Sequence, residues 1–116
     1  MAKENIIIDK TFEFSLRIIE LYKYLTIEKK EYILSKQLLK SATSIGENVK
    51  EATAAQSRKD FLSKMSIASK EARETTYWLR LLIKSNYITD NGITHNSIEI
   101  KKIITSIVKT TSAQKD

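Results

Sequence analysis

The sequence predicts an all-α protein, an antiparallel up-down-up-down four-helix bundle, and three observations carry that prediction. The 116 residues include no proline and only two glycines, where average composition gives roughly six and eight. Many-stranded sandwiches and barrels need both as turn punctuation, which excludes an all-β fold. Apolar residues recur at helical spacing almost throughout, and the longest run steps by four and three over three heptads, as a bundle seam does. The breaks between these runs are short and polar, which favours antiparallel neighbours. A single domain over residues 1–116 follows, with helices at about 11–25, 31–53, 58–85 and 95–112.

The first helix carries Phe12, Leu16 and Ile19 on one apolar line and Phe14, Ile18, Leu21 and Leu25 on the adjoining one. Residues 26–30 are expected to turn. The second helix places Leu34, Leu38, Ala42, Ile45, Val49 and Ala52 on a buried stripe, and Gly46 within it suggests close approach by a neighbouring backbone. The third helix gives the clearest pattern: Phe61, Met65, Ala68, Ala72, Thr75, Leu79 and Leu82 alternate steps of four and three. Ser57-Arg58-Lys59-Asp60 has the form of a capping box at its start. After a break containing Asp90-Asn91-Gly92, a second box from Asn96 to Glu99 is expected to open the fourth helix. Its core line is Ile100, Ile103, Ile104, Ile107 and Val108, although Ile98-Glu99-Ile100 also alternates like a strand. The segments before about Asp9 and after about Thr111 are expected to fray.

Several chemistries are excluded at this level. Without cysteine there is no disulfide framework, zinc finger, iron–sulfur site or thiol nucleophile. The single histidine, His95, falls in the break before the last helix, and no Glu-x-x-His pair is present to build a metal centre in a bundle core. Gly46 and Gly92 are isolated, so no glycine-rich phosphate loop exists. We therefore expect no metal, no cofactor and no enzymatic activity. Three isoleucines before Asp9 are too few for a signal peptide or a membrane span, and a cytoplasmic protein is expected.

The surfaces say more. At about 100° per residue, Arg58, Arg80, Arg73, Lys84, Lys59 and Lys70 fall at about 0, 40, 60, 80, 100 and 120° on the third helix, with its seam between about 240 and 340°. Residues 57–86 hold seven basic against three acidic side chains and supply most of the chain's net charge of +6. Such a stripe can pair with successive phosphates of RNA or DNA, or it can be a solvated helix face. Ile67, Tyr77 and Trp78 are expected to gather off the seam beside Asp60 and Glu71 as a subunit contact, unless a rotated bundle buries them. Base stacking on these rings is a third reading, weakened by Glu71 and Glu74 nearby, which would repel phosphates. Gln37, Ser41, Ser44, Asn48 and Glu51 form a polar line in seam register on the second helix. They can fix the register of a helix or subunit contact, or line a small polar pocket.

The run Gln37-Leu38-Leu39-Lys40-Ser41-Ala42-Thr43-Ser44-Ile45-Gly46-Glu47-Asn48-Val49-Lys50-Glu51-Ala52 resembles the signature of a bacterial family. Ser57, Phe61, Lys64, Ile67-Ala68, Lys70-Glu71-Ala72, Glu74-Thr75 and Tyr77-Trp78-Leu79 follow in the same order. This family is that of the four helix bundle proteins, also called 23S ribosomal RNA intervening-sequence proteins and formerly ribosomal protein S23. The chain departs from the pattern at Glu47, where a small residue is common. The resemblance implies a cytoplasmic bundle assembled as a homopentamer with a positively charged surface. It also implies a fold similar to the accessory variability protein of diversity-generating retroelements, which binds nucleic acid and a reverse transcriptase. No enzymatic activity is implied. Five copies at +6 would concentrate +30 on one particle, a strong attractor for polyanions. From the residues themselves, Ser44, Asn48 and Glu51 are assigned with Ile67, Tyr77 and Trp78 to packing and assembly, and only the basic stripe Arg58, Lys59, Lys70, Arg73, Arg80 and Lys84 to nucleic acid.

Overall fold

The computed structural model describes residues 2–114, with side chains from Ile6 onward. Four α-helices account for the secondary structure of these residues: α1 (Ala2–Ile27), α2 (Leu34–Thr53), α3 (Arg58–Lys84) and α4 (Ile93–Ala113). Each helix packs chiefly on its neighbour in sequence; α1 and α4 meet least extensively, and the backbones of the diagonal pairs stay apart. The molecule is a rod 51 Å long and about 20 Å across.

The core follows the expected stripes on α2 and α3. Leu38, Ala42, Ile45, Val49 and Ala52 of α2 are buried, as are Met65, Ala68, Ala72, Thr75, Leu79 and Leu82 of α3. Alanines along both facing seams bring the α2 and α3 backbones close, and this is the most extensive pairing in the bundle. Phe14, Ile18 and Leu25 of α1 and Ile100, Ile104 and Ile107 of α4 complete the interior. Inward-facing isoleucines keep α4 helical throughout, and tertiary burial overrides their strand preference.

Four expectations at the helix level are corrected. The first helix reaches back to Ala2 rather than starting near residue 11. Of its two apolar lines only the one with Phe14 faces inward; Phe12 and Leu16 are exposed, because α1 has a full-length neighbour only in α2. The second helix begins at Leu34, since residues 31–33 form its cap. The buried Glu31 carboxylate accepts from the amides of Ile33, Leu34 and Ser35 at 3.2, 3.0 and 2.7 Å, and Ser35 Oγ donates back to the Glu31 carbonyl at 2.7 Å. The fourth helix begins at Ile93, so the Asn96 to Glu99 box lies inside it. Asp90 Oδ1 instead accepts from the amides of Gly92 and Thr94. At α3 the serine arm of the expected box forms: Ser57 Oγ accepts from the Asp60 amide at 3.1 Å.

Hydroxyl pairs tie α3 to both neighbours. Thr75 Oγ1 lies 2.9 Å from Ser41 Oγ on α2, and Thr76 Oγ1 lies 2.8 Å from Ser97 Oγ on α4. Ser69 Oγ and Thr105 Oγ1 are 3.5 Å apart along the same α3/α4 groove. These pairs fix which flank of α3 faces which neighbour.

Candidate nucleic-acid interface

Six of the seven cations of α3 lie from its α4 flank round to its outer face, whereas Lys64 shares the α2 flank with the carboxylates Asp60 and Glu71. Lys59, Lys70, Arg73, Arg80 and Lys84 are exposed, while Arg58 is half-buried. None of the five exposed side chains forms an ion pair with a carboxylate of the described residues. Arg73 Nη1 donates to Ser69 Oγ at 3.3 Å, which lays the guanidinium along the α3/α4 groove. Glu71 instead lies close enough to α2 to feel Lys40. Its pKa is raised by burial and by neighbouring Glu74, against the opposing pull of Lys70 and Lys40.

The groove between α3 and α4 widens at one end into a depression of about 480 Å³. Arg80 and Lys84 border it from α3, Lys101 enters from α4, and Thr76, Ile98 and Asp90 complete the wall. Three cations against one carboxylate favour an anion here, and that carboxylate is already engaged by two backbone amides. Lys101 was missed from sequence because each helix was read alone. The available signal is the α4 line Thr94, Ile98, Lys101, Thr105 and Lys109, which brings two more lysines to the flank where Thr105 meets Ser69.

The expected assembly patch is only partly brought together. Ile67 is exposed and Trp78 is half-buried against the core, both on the α2 side of α3. Tyr77 does not belong with them. At about 100° per residue it shares the azimuth of Lys59, between Arg73 one turn before and Arg80 one turn after. Its ring is 57% exposed and meets Trp78 edge-on at 5.1 Å. The polar line of α2 divides as well. Ser41 is buried against Thr75, and Asn48 Nδ2 donates within α2 to the Ser44 carbonyl and Oγ at 2.9 and 3.2 Å. Gln37 and Glu51 are exposed.

His95 is exposed on the first turn of α4. Among the described residues no group of three or more His, Asp or Glu side chains is placed to hold a metal ion. No helix among them is long and apolar enough to cross a membrane.

Fold and surface together define a four-helix bundle with a cationic groove between its last two helices. The model of the 23S rRNA-intervening sequence protein family matches residues 3–109, and the chain belongs to that family. Among solved structures it is similar to a protein with unknown function from the S23 ribosomal protein family of Bacteroides thetaiotaomicron. The two are 53% identical with a TM-score of 0.89, over 92% of this chain and 98% of that one. Comparison with curated proteins gives no match.

Proposed function

We propose that this chain is a non-enzymatic, oligomeric nucleic-acid-binding protein of the cytoplasm that grips phosphates along the α3/α4 groove. The observation that carries this reading is the set of exposed cations, Lys59, Lys70, Arg73, Arg80 and Lys84, none neutralised by a carboxylate of the described residues. Lys101 adds a cation from the facing helix. Such a surface gains affinity by releasing counterions from the polyanion and loses it with salt. Filter binding to RNA and duplex DNA in low salt tests it. We expect retention by the native chain and its loss in the Arg73→Glu, Arg80→Glu double variant; no retention, or retention unchanged by the double variant, leaves the groove a solvated surface.

A second reading, a protein assembly scaffold, is favoured by a separate observation. Phe12 is 62% exposed, and Leu16 is exposed one turn away, beside an α1/α2 groove of about 520 Å³ that reaches Gly46 and Glu47. An apolar line of this kind suits a second copy of the chain or a protein partner such as a reverse transcriptase. Mass in solution tests self-association: Phe12→Ser with Leu16→Glu should lower the subunit count, and a native monomer at micromolar concentration would remove this reading.

A further inference from the structure

We infer that the cationic face is built for single-stranded rather than duplex nucleic acid, with the Tyr77 ring as a stacking platform between phosphate-binding cations. This rests on the proposed nucleic-acid reading and adds the form of the ligand. A duplex offers phosphates but keeps its bases stacked inside, so an aromatic ring in the contact surface gains little from it. A single strand offers phosphates and base faces alternately, and proteins that hold such strands combine a basic track with exposed aromatic rings.

The placement of Tyr77 meets that description. Arg73 stands four residues before it and Arg80 three after, the spacings that put side chains side by side on a helix. Lys70 and Lys84 extend the row by a further turn at each end. The ring is more than half exposed because its azimuth lies off the seam, whereas Phe61 and Trp78 lie nearer the seam and pack on the core. The edge-on contact with half-buried Trp78 supports one side of the ring while leaving it at the surface. Glu74 also stands three residues before Tyr77 and couples to Glu71, so the cations Lys70, Arg73, Arg80 and Lys84 outweigh one adjoining carboxylate. From Lys59 to Lys84 the row spans roughly 38 Å at about 1.5 Å per residue. A stacked strand of about ten nucleotides has a similar length at about 3.4 Å each.

The test is fluorescence anisotropy in low salt with a labelled 12-nucleotide RNA of mixed sequence, the same sequence as DNA, and each annealed to its complement. The native chain should bind one or both single strands at least about tenfold more tightly than the duplexes. Tyr77→Ala should weaken single-strand binding roughly fivefold to a hundredfold, the loss of one stacked base, and leave duplex binding unchanged; Tyr77→Phe should bind like the native chain. Unequal weakening of the two single strands would identify RNA or DNA as the better ligand within the same chemistry. Equal binding of single strand and duplex, with no effect of Tyr77→Ala, overturns the inference and leaves phosphate binding standing. Binding of neither form overturns both. A lower subunit count in Tyr77→Ala, measured by mass in solution, would place the ring in a protein contact and overturn the inference as well.

Discussion

Glu31 shows how one buried carboxylate fixes where a helix begins. Burial alone would raise its pKa, but the amides of Leu34, Ser35 and Ile33 together with the Ser35 hydroxyl outweigh that cost and hold it below the ordinary value of 4.5. A carboxyl lowered on folding contributes stability in full above its unfolded value and loses it as pH falls through the folded one. Glu31→Gln should therefore be less stable than the native chain at pH 7, by about 1–2 kcal/mol. The gap should narrow progressively below about pH 4.5, a trend that urea titrations across pH 7 to 3 would read. The two glycines respond oppositely. A Cβ at Gly46 would meet Thr11 and Ser15 of α1 at 3.6 Å, ordinary van der Waals contact. The expected neighbour is there, yet it leaves room for a methyl group, and Gly46→Ala should stabilise by about 0.5–1 kcal/mol in thermal melts. Gly92 has open space around it but a φ of +94°, so Gly92→Ala should cost about 1 kcal/mol through the backbone alone.

At the scale of the helix, legibility in sequence depended on how many sides an element covers. α2 and α3 pack on two neighbours each, so their alternating stripes were readable except at the ends, where Leu34 and Phe61 are only half-buried. α1 has one full-length neighbour, and periodicity could not say which of its two apolar lines would be buried; Phe12 and Leu16 lie on the uncovered one. The starts of α2 and α4 were misplaced because long-reach caps, Glu31 to Ser35 and Asp90 to Thr94, resemble helix interior or loop in sequence. The basic row of α3 was legible from its spacing, whereas Lys101 needed the packing of α4 to bring it alongside. The hydroxyl pairs were likewise hidden, since serine and threonine on a seam say nothing about their partner. Thr76 also donates to the Ala72 carbonyl within its own helix. Ser97→Ala should therefore cost only about 1 kcal/mol, measured as a shift in denaturation midpoint, because the hydroxyl left behind keeps a partner.

For the whole molecule, the distribution of charge matters more than its sum. Among the described residues the ion pairs of Lys10 with Glu99 and Lys23 with Glu20 are both substantially exposed, and each contributes little to stability. The exposed cations Lys59, Lys70, Arg73, Arg80 and Lys84 of α3 take part in neither pair. Binding to a single strand should fall with salt at a slope of about −0.7 per neutralised phosphate. Arg73→Gln with Arg80→Gln should make the log–log slope about 1.4 shallower in anisotropy titrations over 50 to about 200 mM salt.

The order of packing also governs how quickly the chain reaches this state. Because α1 meets α2, α2 meets α3 and α3 meets α4, most native interactions join segments close in sequence, and closing them costs little loop entropy. Topologies of this kind fold within microseconds to milliseconds. The alanine-lined hairpin of α2 and α3 is the natural nucleus, so truncations such as Leu79→Ala should slow refolding, while changes at the sparse α1/α4 seam should show mainly as faster unfolding.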